Sequence, residues 1–267
     1  MKRRVCTDGA VQLHVTPAGE DQAYLTGCVT RDASPIEASQ QLYGLIAGEL
    51  AAHGMLVAHE RLFGALEVRQ DVLAGRRRAL EGRGLLPAPP PTCIEGRPVA
   101  GHGLAGAHIY AVRPDAGELE PVHDGQAPCG CRWQRGGAGF IVLQGLHGLD
   151  EGAEPPSRAA QARGVFERAG RILAAQGADY GHVVRTWIYI ADILGWYGEF
   201  NDVRNAQYRR FGLVARGAAA ASAEQMGLPA STGIQGRNPL GAALMMDLLA
   251  VVGQGRHGPQ VAYMDNV

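Results

Sequence analysis

Val183-Val-Arg-Thr-Trp-Ile-Tyr-Ile190 is dense in β-branched and aromatic residues and reads as a strand starting near Gly181. What flanks it decides the fold. Upstream, Ser157 to Gln176 predicts a helix ending in Arg171-Ile-Leu-Ala-Ala-Gln-Gly177, where the glycine can close the helix in a left-handed conformation. Before that helix, Phe140-Ile-Val-Leu-Gln-Gly145 reads as a short buried strand. Downstream come a second helix near Tyr197 to Phe211, the segment Ser231-Thr-Gly-Ile-Gln-Gly236 and a last strand over Gly241 to Val251.

The first half repeats this order. Ala23-Tyr-Leu-Thr-Gly-Cys28 is the counterpart of 140–145, and a helix from Pro35 to His53 ends in Gly48-Glu-Leu-Ala-Ala-His-Gly54. A strand over Met55 to Ala65, a helix over Leu66 to Glu81, Pro91-Thr-Cys-Ile-Glu-Gly96 and a strand over Gly106 to Val112 complete it. The repeating unit is β, α, β, α, β with additional short strands. A sheet must bury at least one apolar face, so the helices are expected on one side of a mixed sheet. The other side is then left to line a barrel or a subunit interface. The predicted class is α+β, two tandem units, with domains at 1–125 and 126–267.

Composition narrows the chemistry. The chain has 267 residues, 46% of them hydrophobic and 19% charged, and a formal net charge of -1. That describes a globular protein with no concentrated positive charge for a nucleic acid. No apolar run reaches the length of a membrane span, and Met1 to Ala10 lacks the apolar stretch of a signal peptide, so a cytoplasmic location is expected. Lys2 is the single lysine among 25 basic residues and lies where the chain is prone to fray. Schiff-base chemistry, a pyridoxal phosphate anchor and a P-loop are thereby disfavoured, and no GxGxxG, HExxH or GxSxG motif occurs. Five cysteines at scattered positions form no disulfide framework, and Cys129-Gly-Cys131 lacks partners at metal-binding spacing. Neither a cofactor nor a metal is expected.

Three segments of the second half carry a resemblance: Val184 to Arg204, Leu228-Pro-Ala-Ser-Thr-Gly-Ile-Gln-Gly236 and Met246-Asp-Leu-Leu-Ala250. Together they resemble the RidA/YjgF superfamily, and within it the chorismatase-like branch. The first half looks like a degenerate copy. The resemblance implies a six-stranded mixed sheet with two helices per unit, trimers or tandem pseudo-oligomers, and pockets between units; tandem units can pair within one monomer, and an open sheet face together with the resemblance favours a homodimer or homotrimer. It implies deamination of imines and enamines, or release of pyruvate from chorismate, with neither metal nor nucleotide. Two departures stand out. Imine deaminases of this superfamily carry a substrate-carboxylate arginine just after the Pro-Ala of the penultimate strand, whereas here Pro229-Ala230 is followed by Ser231-Thr232. Chorismatase-like proteins continue into a further catalytic unit, whereas this sequence ends at Gly258-Pro-Gln-Val-Ala-Tyr-Met-Asp-Asn-Val267. A repurposed site is the expectation.

The candidate residues follow. Asp247 interrupts an apolar strand, and burial would raise its pKa toward the range useful for proton transfer. Alternation puts Arg185 and Trp187 on one face, a guanidinium beside an indole that suits a planar anion. The competing structural role for Arg185 is an ion pair with Asp192 or Asp247. Trp196, Tyr197, Glu199, Asn201 and Arg204 cluster at a helix start, where Tyr197 is a candidate oxyanion donor and Glu199 a proton relay. Thr232 and Gly233 offer close backbone approach to a ligand, and Glu95 holds the place of Gln235 in the first repeat. His147 and His182 read better as structural donors than as bases. The set predicts a cofactor-independent cyclase or dehydratase acting by acid–base catalysis on a small unsaturated or aromatic carbonyl compound of bacterial secondary metabolism. Asp247, Tyr197 and Glu199 are its catalytic groups. The alternatives are chorismatase-like pyruvate release and a non-catalytic metabolite-binding protein. Neither nucleic acid nor membrane is an expected partner.

Overall fold

The computed structural model describes residues 2–150, 152–214 and 227–253. The closing segment 258–267, on which one departure above rests, lies outside them. The chain forms two compact units, Met1–Val122 with Pro128–Trp133 and His123–Ala127 with Gln134–Val267.

The first unit contains β1 (Arg4–Asp8), β2 (Val11–Pro17), β3 (Gln22–Val29), α1 (Pro35–His53), β4 (Leu56–Gly64), α2 (Arg69–Glu81), β5 (Thr92–Glu95) and β6 (Leu104–Val112). The second sheet takes β7 (Glu120–Asp124), β8 (Ala127–Arg135), β9 (Ala138–Leu146), β10 (Val183–Ile190), β11 (Ala230–Gln235) and β12 (Leu244–Gly253), with α3 (Arg158–Ala175) and α4 (Ile193–Arg210) between them. The sheet orders are β1-β2-β3-β6-β4-β5 and β11-β10-β12-β9-β8-β7. Reversing the second makes the two identical, so the repeat seen in sequence is a repeat of topology. In each sheet one pair, β4 with β5 or β10 with β11, is parallel and spans a helix, as a parallel connection requires.

Local chemistry accounts for the elements. Ser34 accepts from the Glu37 N–H, Pro35 occupies the first turn, and Gly54 closes α1 at φ 58°. Leu42, Ile46 and Leu50 recur every four residues along α1 and are buried against Leu13, Leu25 and Ile109 of the sheet. Ser157 caps α3 by accepting from the Ala160 N–H, and Gly177 follows its end at φ 73°. Val165, Phe166, Ala169 and Leu173 form the buried stripe of α3. Two helix starts differ from the sequence reading by more than one residue. The helix expected from Leu66 opens as a 3-10 turn over Leu66–Val68 before α2. The helix expected from Tyr197 starts four residues earlier, with Asp192 at φ 51° ahead of it and a kink at Trp196. The additional short strands are β1, β2, β7 and β8.

Each sheet has a helix side and a helix-free side. In the first unit Glu60 of β4 is on the helix side, bound by Tyr43 of α1 at 2.5 Å and by Arg76 of α2 at 2.7 Å. In the second, the Tyr180 hydroxyl meets the sulfur of Met246 at 3.7 Å and Tyr180 packs on Phe166 of α3, which places Met246 on the helix side. Its neighbour Asp247 therefore faces the other way. No helix among the described residues is long and apolar enough to cross a membrane.

Candidate functional site

On the helix-free side of the second sheet, three strands converge. Trp187 of β10 is opposite Asp247 of β12 and opposite Thr232 of β11. Arg185, two residues before Trp187, shares its face and lies over the indole with its guanidinium carbon 5.4 Å from the ring centroid. Arg185 also donates to the Thr232 hydroxyl. The anticipated ion pairs do not form from these groups: Asp192 pairs with Arg158 at 3.1 Å, and Arg185 spends its hydrogen bond on a neutral hydroxyl. A guanidinium set over an indole and bonded to a hydroxyl is restrained from two sides, and guanidinium groups pair with carboxylates through two parallel N–H bonds.

Asp247 is fully buried. The Gly145 N–H donates to its Oδ1 at 2.8 Å, and the Tyr189 hydroxyl to its Oδ2 at 3.5 Å. The first bond depends on a bulge. The β9–β12 register slips between Met246 and Leu248, so that β9 carries an extra residue there, and Gly145 adopts φ 68°. A glycine in this left-handed region takes its N–H out of the ladder and turns it onto the carboxylate. Burial of the carboxyl group is thus accompanied by hydrogen-bond donors to both of its oxygens.

The structure brings Arg185, Trp187, Thr232 and Asp247 together and leaves the other candidates elsewhere. A Cβ built on Gly233 would meet the Tyr197 ring at 3.8 Å, and Gly233 is the register partner of Ile188, whose opposite partner is Met246 on the helix side. Tyr197 therefore lies on the helix side of the sheet, stacked on Phe200 with centroids 6.1 Å apart. Glu199 is exposed on α4. The expected trio of Asp247, Tyr197 and Glu199 is corrected: the sheet lies between the aspartate and the tyrosine. Trp196 is buried, its indole N–H on the Ala191 carbonyl at 2.8 Å, with Arg158 against its ring. Arg204 packs on Phe200 and Tyr208, while Asn201 is half-buried on the same helix.

Ser231, where the resemblance would have an arginine, takes a hydrogen bond from Thr186 at 3.0 Å. Arg185, bonded to Thr232, lies on the opposite face of the sheet from Ser231. Glu95 belongs to the first unit and lines a cavity of about 530 Å³ there with Glu67, Arg97 and His102. His182 caps its 3-10 turn against Asp179 at 2.8 Å, and His147 accepts the Leu149 N–H at 3.4 Å. Cys129 and Cys131 are buried in β8, and burial pushes the Cys131 thiol up to about 12. No cluster of three or more His, Cys, Asp or Glu fit to hold a metal ion occurs among the described residues. Sequence reasoning missed two members of the site. Tyr189 was available from the alternation that pairs Arg185 with Trp187; the role of Gly145 was not, because it depends on a register slip against a strand about 100 residues away.

Residues 137–229 match the family model described as Endoribonuclease L-PSP. No curated protein matches the chain. Among solved structures the chain is similar to a chorismatase, with a TM-score of 0.62 at 14% identity, covering 92% of this chain and 78% of that one. It is also similar to the YjgF gene product of E. coli, with a TM-score of 0.37 at 21% identity, covering 49% of this chain and 92% of that one. A member of the YjgF protein family from Neisseria meningitidis has a TM-score of 0.36 at 24% identity, covering 51% and 96%. The chorismatase likeness is one of fold.

Proposed function

We propose, for a tandem two-unit chain whose second unit belongs to the RidA/YjgF superfamily, that this unit binds a small planar carboxylate metabolite on its helix-free sheet face. The observation that carries the reading is the Arg185 guanidinium, held between the Trp187 ring and the Thr232 hydroxyl. A carboxylate pairs with the guanidinium, and a flat unsaturated or aromatic body lies against the indole. Asp247, opposite Trp187, bounds the site on the β12 side.

The enzymatic version of this reading is chorismatase-like release of pyruvate. Its support is the fold shared with a chorismatase over most of the chain, together with a buried carboxylate beside the proposed carboxylate anchor. Cyclisation or dehydration has less support, because two of its three proton-handling groups lie away from Asp247.

One experiment separates these readings. The full chain is titrated with 4-hydroxybenzoate by calorimetry and incubated with chorismate under a coupled pyruvate assay. Binding lost in Arg185→Met without pyruvate formation supports the metabolite-binding reading. Pyruvate formation that disappears in Asp247→Asn supports the lyase. Unaltered binding in Arg185→Met removes the anchor and with it the proposal.

A further inference from the structure

The two units contain the same loop, closed on itself in one and not in the other. Gly96 and Gly236 follow β5 and β11 and donate to the carbonyls of Gly64 and Ile190, at 3.0 and 3.1 Å. Each is followed by an arginine, Arg97 or Arg237, and then by a glycine of positive φ, Gly101 at 69° or Gly241 at 66°. The next strands open at Leu104 and Leu244, so the two loops are equal in length. In the second unit Asn238 ties the loop to itself. Its Oδ1 accepts the Leu240 and Ala242 N–H groups, both at 3.1 Å, and its Nδ2 donates to the Ala242 carbonyl at 2.8 Å. In the first unit Pro98 takes that position, and a proline side chain neither donates nor accepts.

The untied loop borders the cavity of about 530 Å³ that Glu95 lines, a volume in the range of small-molecule sites. Three segments contribute polar groups to it: the 3-10 turn with Glu67, the end of β5 with Glu95, and the loop with Arg97 and His102. The loop is seated closely at its far end. The Gly103 carbonyl accepts the Ala65 N–H at 2.8 Å, and a Cβ on Gly103 would come within 2.9 Å of Pro35. Where the second unit has Gln235 and Ala242, the first has Glu95 and His102, so the difference between the repeats adds a carboxylate and an imidazole to this wall. Glu95 is half-buried and keeps contacts of its own; it supplies fixed negative charge. Glu67, Arg97 and His102 are exposed at the cavity. Two carboxylates against one guanidinium favour an occupant of net positive charge, while Arg97 calls for an anionic group on it.

We infer that this cavity is a binding site for a basic amino acid, whose side-chain cation lies toward Glu67 and the charge of Glu95 and whose carboxylate pairs with Arg97. A bare amine leaves Arg97 without an anion, and a neutral amino acid leaves one of the two carboxylates uncompensated. The site is built from the first unit alone and does not depend on the reading proposed for the second.

The probe is L-arginine, titrated into the full chain by calorimetry in low-salt buffer, since exposed charges are screened by salt. Two controls each lack one group: L-citrulline has no side-chain cation, and L-argininamide has no carboxylate. One equivalent of L-arginine is expected to bind, with each control about tenfold weaker. Glu67→Gln is expected to weaken L-arginine about tenfold and to remove its advantage over L-citrulline. Arg97→Gln is expected to remove its advantage over L-argininamide. Both positions are exposed, and both variants should keep the parental circular dichroism spectrum. Absence of saturable L-arginine binding, L-citrulline binding as tightly as L-arginine, or unchanged L-arginine affinity in both variants overturns the inference. Loss of L-arginine binding in Arg185→Met would assign it to the second unit and overturn the inference as well. If Arg185→Met leaves 4-hydroxybenzoate binding unaltered while L-arginine binds as expected, the second-unit reading fails and this one stands.

Discussion

Gly145 and Asp247 are joined across 102 residues of chain by a single hydrogen bond, the bulge N–H meeting Oδ1 at 2.8 Å. The bond exists because Gly145 adopts φ 68°. A side chain at that position crowds the following carbonyl oxygen, so Gly145→Ala is expected to cost about 1–2 kcal/mol. Urea denaturation measures the loss; a variant as stable as the parent would contradict the bulge geometry.

Removing the acceptor tests the same bond from the other side. Asp247→Ala strands the half-buried Gly145 N–H and is expected to lose about 1–3 kcal/mol. Asp247→Asn retains an acceptor oxygen and should lose less. Equal losses in the two variants would mean that the hydrogen bond contributes nothing beyond volume.

The division of candidates between the two sheet faces predicts unequal effects on ligand binding. Arg185→Lys keeps the charge but not the planar fork or the stacking, and should weaken binding of 4-hydroxybenzoate about tenfold. Tyr197→Phe and Glu199→Gln, away from that face, should leave it within about twofold. A large loss in either of the latter would restore the trio expected from sequence.

Glu60 and Arg76 form a buried pair completed by the Tyr43 hydroxyl and the Pro89 carbonyl. Arg76→Met leaves the carboxylate buried with one partner fewer and is expected to cost about 3–5 kcal/mol. Replacing both residues together, as Glu60→Leu with Arg76→Met, should cost less than the single change. A double variant less stable than Arg76→Met would show that the pair is a net stabiliser.

His108 makes stability fall in acid. Burial, helped by the charge of Arg61, brings its folded pKa down from the ordinary 6.5 to about 4, so the unfolded chain takes up the proton first. The stabilisation is complete above pH 6.5 and is lost as pH drops through the window down to about 4. His108→Gln should therefore show a flatter decline in Tm between pH 7 and pH 4.5 than the parent. Parallel declines in the two proteins would place the acid sensitivity in other groups.

Much of the architecture was legible because it rests on local rules. The helix over 35–53 follows from Ser34, Pro35, the four-residue spacing of Leu42, Ile46 and Leu50, and Gly54. The strand over 183–190 follows from its β-branched and aromatic run, and alternation alone put Arg185 with Trp187. The start of α4 was misjudged, since Asp192 and Trp196 take backbone conformations that no propensity specifies. Tyr197 and Glu199 were joined to Asp247 by the chemistry of their side chains, and nothing in a linear order says on which side of a sheet a helix will pack.

By itself the sequence determined the order of elements and their caps, which depend on residues within a turn or two of each other, and the duplication of the unit, which shows as the same local patterns recurring in the same order. Tertiary structure decided which side chains act together. Pairing of β10 with β12 sets Trp187 against Asp247, pairing with β11 sets it against Thr232, and the slip of β9 turns Gly145 onto the carboxylate. The same pairings in the first sheet put Arg61 beside His108 and Tyr24 on Tyr110. Register between strands far apart in the chain is set by the burial of whole faces, and a one-residue shift would send each of these groups to the other side.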